Sequence, residues 1–327
     1  MRKYSRQITN LPTLGIAAVV CLLLASVFFS SPKKNPATNG QTPYNVATTT
    51  KNGVRGILQP TLSLSSDHVI QGEPVLIRLT NMNSASTTLS SLTFNGESLR
   101  ATGYGSNKQI SFIGIDLDYP PGLYSIRAAI RVAGTSTDLV LKKTITIVAR
   151  PRVTAPLGIP DKLGGNTIEG QQNVESSMAS DNAVLNSLHA TDKPLWTGAF
   201  DFPIVDPIVT DPYGYDRLTG SLSIPHKGTD FRAATGTPVM AVNVGVVIYA
   251  QDLGIYGNTI AVDHGLGILS FYMHLSRIGV KAGDMVARGQ LIGQSGDTGY
   301  AVGPHLHLTI RIRGVSIDPM AFLGFFQ

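Results

Sequence analysis

The sequence predicts a mainly β protein, in which two β domains follow an apolar N-terminal segment. Short stretches of alternating apolar and polar residues recur along the chain, and Gly, Asn and Pro separate them. The alternation is clearest from His305 to Arg313, where side chains of a strand point to opposite faces in turn. Hydrophobic residues make up 43% of the chain, enough for substantial cores.

The N-terminal segment carries an export pattern. Arg2, Lys3 and Arg6 precede an apolar run from about Leu14 to Phe29. We predict that residues 1–30 are a signal anchor or a cleaved signal peptide, since the run is slightly shorter than the roughly 20 residues of a membrane span. Either way, the rest of the chain is exported. It is then held in the inner membrane facing the periplasm or outside, or secreted if the signal is cleaved.

Residues 31–55 are rich in Pro, Asn, Thr and Ser and predict a flexible linker. Residues 56–150 predict an antiparallel β-sandwich of immunoglobulin-like kind, because short alternating segments there are separated by turn signals. These segments are Thr61 to Leu64, Val75 to Leu79, Leu123 to Val132 and Leu139 to Val148. The domain contains no catalytic pattern, so it reads as a spacer or a binding module.

Residues 151–200 form a connector with one helix, predicted from Val174 to His189. Its apolar positions are only loosely periodic. Trp196 is expected to pack the connector against the domain that follows.

Residues 201–327 again predict strands and glycine turns. The strand-like segments are Val239 to Ala250, Thr259 to Asp263, Leu269 to His274 and His305 to Arg313. Repeated turns near Gly283 and Gly289 also resemble a lipoyl or biotin carrier, but the modifiable lysine hairpin is missing.

Charge and cysteine content exclude several function classes. The net charge of +5 is spread along the chain, without the dense basic stripe of a nucleic-acid-binding protein. Cys21 is the one cysteine, which excludes an internal disulfide and a thiolate metal site. The sequence leaves the oligomeric state open.

Histidines indicate metal chemistry. Five of the seven lie after position 220. Gly228 favours a tight bend that brings His226 and Asp230 together, and His307 completes a three-ligand zinc site with a fourth position open to water. No His-Glu-x-x-His helix is present, so His274 and His305 are expected to serve the metal-bound water and the developing oxyanion. His264 is expected in a turn or in packing, with support of the metal ligands as the alternative.

These motifs resemble the lysostaphin/LytM-type zinc metallopeptidases, bacterial enzymes that cut peptide cross-bridges of peptidoglycan. The resemblance runs from about Pro203 to Leu323. It rests on Asp211-Pro212-Tyr213-Gly214, His226 to Asp230, Gly236-Thr237-Pro238-Val239, Tyr256-Gly257-Asn258, Asp263-His264-Gly265, Tyr272-Met273-His274-Leu275, Gly289-Gln290, Ile292-Gly293, Thr298-Gly299, Gly303 to His307 and Asp318-Pro319.

The resemblance implies one Zn²⁺ on His226, Asp230 and His307, with His305 as base and His274 as transition-state donor. It also implies a compact antiparallel β fold and peptidoglycan peptide stems as the substrate. Two departures stand out: Leu308-Thr309 replaces an aromatic residue and Glu, and Arg217 is displaced by one position. From the matching family motif, the resemblance implies Tyr215 and Arg217 as candidates for substrate binding, Tyr215 as an oxyanion partner.

The resulting hypothesis is a zinc metalloendopeptidase that hydrolyses peptidoglycan cross-bridges. The first alternative is a catalytically silent envelope module that regulates another wall hydrolase. The second is an exported protease of a protein substrate such as a Gly-rich chain. The sequence does not distinguish a D-alanyl–diamino acid bond from a glycyl–glycyl bond.

Overall fold

A pair of β-sheets begins the part of the chain that the computed structural model describes, residues 58–326. The predicted signal segment and linker lie outside these residues. The pair consists of strands β1 (Thr61–Leu64), β2 (His68–Ile70), β3 (Pro74–Thr80), β4 (Thr87–Phe94), β5 (Glu97–Ser98), β6 (Thr102–Gly103), β7 (Lys108–Gly114), β8 (Gly122–Val132) and β9 (Leu139–Val148).

The first sheet has the order β1-β3-β7-β6 and the second the order β2-β9-β8-β4-β5. Most neighbours are antiparallel, whereas β2 and β9 run parallel. We call this pair the N-terminal sheets. Apolar side chains from both sheets share one core, for example Ile77 and Ile126, which are fully buried. The strands predicted in this region are therefore present.

The connector contains β10 (Thr154–Pro156), a 3₁₀ turn at Asp161–Leu163 and helix α1 (Ile168–Ser187). The predicted helix exists, but it begins six residues earlier than Val174 and ends two residues before His189. The Thr167 hydroxyl accepts a hydrogen bond from the Gly170 amide at 2.9 Å and so caps the helix. Apolar periodicity alone missed the polar first turns.

The remaining elements are mostly strands. They are β11 (Val209–Asp211), β12 (Asp216–Thr219), β13 (Leu222–Pro225), β14 (Thr229–Arg232), β15 (Pro238–Met240), β16 (Gly245–Leu253), β17 (Gly257–Gly265), β18 (Ile268–Ile278), β19 (Met285–Val286), β20 (Leu291–Ser295), β21 (His305–Ile312), β22 (Val315–Ile317) and helix α2 (Pro319–Leu323). Short 3₁₀ turns occupy Gly254–Tyr256 and Gly324–Phe326.

The main sheet of this region has the order β11-β14-β21-β18-β17-β16-β19. Its hydrogen-bonded neighbours are antiparallel, as the sequence predicts. The prediction of one strand from Val239 to Ala250 was wrong, because the chain breaks between β15 and β16. There the Asn243 side chain accepts from the Val244 and Thr197 amides, which replaces ladder bonding.

The N-terminal sheets pack directly on the core of the main sheet. Successive residues of β7 are buried on both of its faces, with Ile113 in the core between the N-terminal sheets and Phe112 in the core of the main sheet. The Phe112 ring lies 6.3 Å from Trp196 and 6.0 Å from Phe322. Trp196 is therefore a packing residue.

Among residues 58–326, we found no helix with the length and apolarity needed to cross a membrane.

Candidate metal and catalytic site

Strand pairing brings the predicted ligands together. His307 in β21 lies directly opposite Asp230 in β14, and β21 is also paired with β18, where Met273 is the partner of His307. His226 follows β13 in the bend that leads into β14. The main sheet thus fixes the backbone positions of Asp230 and His307, and the bend into β14 carries His226.

The structure adds a steric reason for glycine at position 228. A Cβ atom at this position would lie 2.3 Å from Nε2 of His307 and 2.7 Å from the Leu308 carbonyl oxygen. The bend passes so close to the His307 ring that a larger residue would displace it.

Three atoms that could coordinate a metal ion converge at the centre of the site. His226 Nε2 lies 3.1 Å from Asp230 Oδ1 and 3.0 Å from His307 Nδ1, and the last two atoms are 2.7 Å apart. All three side chains are buried. A tetrahedral ion with bonds of about 2.0–2.2 Å separates its ligand atoms by about 3.3–3.6 Å, so the three atoms would move apart slightly to seat it.

The tautomers of the two ligand histidines are set by outer partners. The Nδ1–H of His226 donates to the Pro212 carbonyl oxygen at 3.0 Å. The Nε2–H of His307 donates to the Thr309 hydroxyl at 2.9 Å, which in turn donates to the Lys227 carbonyl at 3.1 Å. The other ring nitrogens, His226 Nε2 and His307 Nδ1, therefore direct lone pairs at Asp230. A cation bound between these three atoms would accept those lone pairs.

Ionisation of these groups follows from burial and from their neighbours. Burial lowers the pKa of His307 to about 4, against the opposing effect of Asp230. Burial acts to raise the pKa of Asp230, but His226 and His307 outweigh it and hold that pKa well below its usual range. At neutral pH His307 is therefore a neutral imidazole and Asp230 a carboxylate, the protonation states that metal binding requires of them.

The two other predicted histidines lie beside this centre. The rings of His274 and His305 are 4.8 Å apart, and the His274 ring is 5.9 Å from that of His307. His305 Nδ1–H donates to the Gly303 carbonyl at 2.8 Å, and its Nε2 lies 3.8 Å from Asp230 Oδ2. This Nε2 is buried and has no hydrogen-bond partner among the described residues. Its lone pair is thus available to accept a proton.

His274 occupies a strained backbone position. Its φ of 60° lies in the left-handed region, which a non-glycine residue adopts at an energetic cost. Its Nδ1–H donates to the Thr298 carbonyl at 2.9 Å. Burial, with the neighbouring His305 and His307, holds its pKa well below the ordinary value. In the resting site it is therefore neutral, with a lone pair at Nε2.

Arg217 bonds to carboxylates of the site itself. Its guanidinium contacts Asp230 Oδ2 and donates from Nε to Asp211 Oδ2 at 2.9 Å. It leaves Asp230 Oδ1 to face the two histidines. Tyr215 accepts a hydrogen bond from the His226 amide through its backbone carbonyl. Substrate binding by these two residues stays a prediction.

His264 lies elsewhere. Its ring is buried against Phe200 and bonds to the Val244 carbonyl and the Ser270 hydroxyl, both at 2.8 Å. It is a packing residue of the main sheet.

A cavity of about 420 Å³ adjoins the site. His307, Thr309 and Arg311 of β21 line it on one side, as do His226 and His274. Connector helix α1 supplies another wall, through Met178, Asn182, Leu185 and Asn186. The sequence prediction missed this contribution, as well as Thr309, Thr298 and Arg311. The alternation of β21 puts Thr309 and Arg311 on the same face as His305 and His307, and this signal could have identified them as site residues. The contribution of α1 depends on tertiary packing, which no local pattern predicts.

Residues 224–319 match the model of Peptidase family M23. This segment contains all five residues predicted as metal ligands or catalytic histidines. The segment is therefore a peptidase family M23 domain.

Two curated relatives show how far the similarity extends in sequence. Peptidoglycan DD-endopeptidase ShyA of Vibrio cholerae is 45% identical over 96 residues, which are 29% of this chain and 22% of that protein. The DD-carboxypeptidase/endopeptidase Mpg of Neisseria meningitidis is 37% identical over 127 residues, which are 38% of this chain and 29% of that protein. The matched part is less than a third of either relative.

One solved structure is similar over a longer span. The putative peptidase M23 from Pseudomonas aeruginosa is 25% identical, with a TM-score of 0.54, and the match covers 79% of this chain and 96% of that one. The structural similarity therefore extends well beyond the M23 segment.

Proposed function

We propose that the chain is a zinc metalloendopeptidase that hydrolyses peptide cross-bridges of bacterial peptidoglycan. One observation carries the proposal. A carboxylate oxygen and two ring nitrogens lie within 3.1 Å of one another, next to His305 Nε2, which has no hydrogen-bond partner among residues 58–326. The silent-module alternative gives no reason to keep both features together.

His226 Nε2, Asp230 Oδ1 and His307 Nδ1 would hold one Zn²⁺. The ion would act as a Lewis acid and would lower the pKa of water at the site. Arg217 supports this by holding the second oxygen of Asp230. Thr309 supports it by fixing the His307 tautomer.

His305 is proposed as the general base, because its Nε2 carries a lone pair beside the metal centre. His274 is proposed as a donor to the developing oxyanion. Since its Nδ1–H donates to the Thr298 carbonyl, Nε2 would donate only after His274 receives the proton that His305 takes from the attacking water, and the two rings are 4.8 Å apart. Its depressed pKa makes that imidazolium a strong acid, which suits a transient donor.

The peptidoglycan substrate is supported by the curated relatives, whose names state DD-endopeptidase and DD-carboxypeptidase activity. We further propose that residues 1–30 are a signal anchor or signal peptide, so that the enzyme works in the cell envelope. The charged start and apolar run support this. The N-terminal sheets are proposed to be an immunoglobulin-like sandwich, because two mainly antiparallel sheets share one core.

The test is digestion of purified, cross-linked peptidoglycan by the zinc-loaded full chain, followed by mass spectrometry of the products. We expect loss of cross-linked fragments, abolished by a chelator and by Asp230→Ala. A Gly-rich protein digested in parallel tests the alternative substrate. Intact cross-links in the presence of bound zinc would contradict the proposal.

A further inference from the structure

Arg311 lies on the same face of β21 as the site histidines. His305, His307, Thr309 and Arg311 alternate with the apolar residues of the strand, so their side chains share one side of the sheet. Arg311 lines the cavity together with His307 and Thr309. It is only 8% exposed, which places a charged guanidinium inside the cavity wall.

Several arginines of the described residues form ion pairs. Arg150 pairs with Asp318 at 3.1 Å, Arg288 with Asp201 at 3.3 Å, and Arg217 with two aspartates. Within residues 58–326, Arg311 forms no ion pair. Its partners are neutral: the Leu185 carbonyl at 2.9 Å, the Asn186 side-chain oxygen at 3.1 Å and the Ser316 hydroxyl at 3.3 Å. A buried charge without a counter-ion is costly, and burial accordingly lowers the pKa of Arg311.

The neutral partners hold the guanidinium in place without neutralising it. Nε and Nη1 donate to them, and the guanidinium lies over the Phe271 ring at 5.1 Å. Nη2 has no hydrogen-bond partner among the described residues. A carboxylate in the cavity could therefore accept from a donor that is already oriented, which is where charge-assisted hydrogen bonds are strongest.

Neighbouring charges favour binding of a carboxylate at Arg311. Asp116 also lines the cavity, but it lies 3.6 Å from the Lys227 ammonium group, which offsets its charge. The C-terminal end of α1 directs carbonyls at Arg311 and supplies only partial negative charge. The cavity therefore keeps an uncompensated positive charge at this end.

We propose that Arg311 is a specificity-determining residue that binds a free carboxylate of the substrate peptide. This inference rests on the proposed function. Residues i and i+4 of a strand are about 13 Å apart, so an extended peptide reaches from the His307 position to Arg311 in about four residues. The recognised group is then a side-chain or terminal carboxylate about three or four residues from the cleaved bond.

The test compares two cross-linked peptide substrates that differ in one group, a free carboxyl or the corresponding carboxamide. For the zinc-loaded wild-type chain, we expect a kcat/KM about 10–100-fold higher with the carboxylate, the range for a hydrogen bond to a charged group. Arg311→Gln should bring the two substrates to within about twofold of each other. Arg277→Gln, an exposed arginine on β18, is the matched control and should keep the wild-type preference.

The ratio of kcat/KM for the two substrates distinguishes a role of Arg311 in substrate recognition from a purely structural role. If Arg311 only anchors α1, Arg311→Gln lowers hydrolysis of both substrates equally and the preference remains, which would overturn the inference. Arg311→Lys keeps the charge and should keep part of the preference, so it serves as the second variant if the glutamine variant unfolds. Equal use of both substrates by the wild-type chain would also overturn it.

A binding measurement distinguishes failure of this inference from failure of the proposed function. Calorimetry on zinc-loaded His305→Ala should give a tenfold tighter Kd for the carboxylate peptide than for the carboxamide. That result without hydrolysis by the wild-type chain would support Arg311 while rejecting the endopeptidase. Hydrolysis with equal Kd values, or no binding of either peptide, would reject the Arg311 inference.

Discussion

The N-terminal sheets and the main sheet bury very different side chains. Among residues 61–148, the buried polar residues are Gln71, Thr87 and Ser111, and the rest of the interior is apolar. The main sheet and the bend that carries His226 bury four histidines, two aspartates and an arginine in addition to the apolar core. Buried polar groups cost stability unless they are paired. Their concentration around the candidate site indicates that this region is less stable than an apolar core would be, because its side chains serve the site.

The largest expected effect is loss of activity on substitution of His305. We expect His305→Ala to lower kcat by about 10²–10⁴-fold, the usual contribution of a general base. Bound zinc should stay at one equivalent, because His305 is not among the three converging donors. Elemental analysis beside peptidoglycan hydrolysis checks this. A variant that has lost its zinc would mean that His305 acts as a ligand.

A core truncation in the N-terminal sheets should have the opposite signature. Ile77 is fully buried between them, and Ile77→Ala should lower the free energy of unfolding by about 2–5 kcal/mol. Activity per folded molecule should stay unchanged, because Ile77 faces away from the core of the main sheet. Urea unfolding and hydrolysis at low temperature measure the two effects. Loss of kcat in the folded variant would show that the N-terminal sheets shape the site.

The smallest change concerns the Thr309 hydroxyl. Thr309→Val keeps the size but removes the acceptor for His307 Nε2–H. Zinc affinity should fall by about 10–100-fold, as for other partners of metal ligands. Competition with a chromogenic chelator measures the affinity. Thr309→Ser retains the hydroxyl and should bind zinc within a few-fold of the wild type; equal losses in both variants would exclude the hydrogen bond as the cause.

Local pattern predicted the strands and the histidines that they carry. Alternation from His305 onward placed two imidazoles on one face, and the structure has them there. Neither strand's sequence alone predicts that β14 pairs with β21. That pairing sets Asp230 opposite His307. The ligand set was predicted from residue types and supported by the family resemblance, since residues 77 positions apart give no periodic signal.

Other features were hidden because they depend on tertiary packing. The early turns of α1 are polar, so apolar spacing could not locate the Thr167 cap. The Arg217 pairing with Asp211 and Asp230 requires three strands to meet. The break between β15 and β16 depends on one asparagine side chain replacing backbone bonds.

The connector has a consequence for protein engineering. Strand β10 extends the small sheet of β12 and β13 through parallel pairing with β12, and α1 walls the cavity. A chimera spliced near residue 200 would discard both. Joining foreign modules ahead of Thr154 retains them, although Arg150 and its bond to Asp318 would then need a substitute.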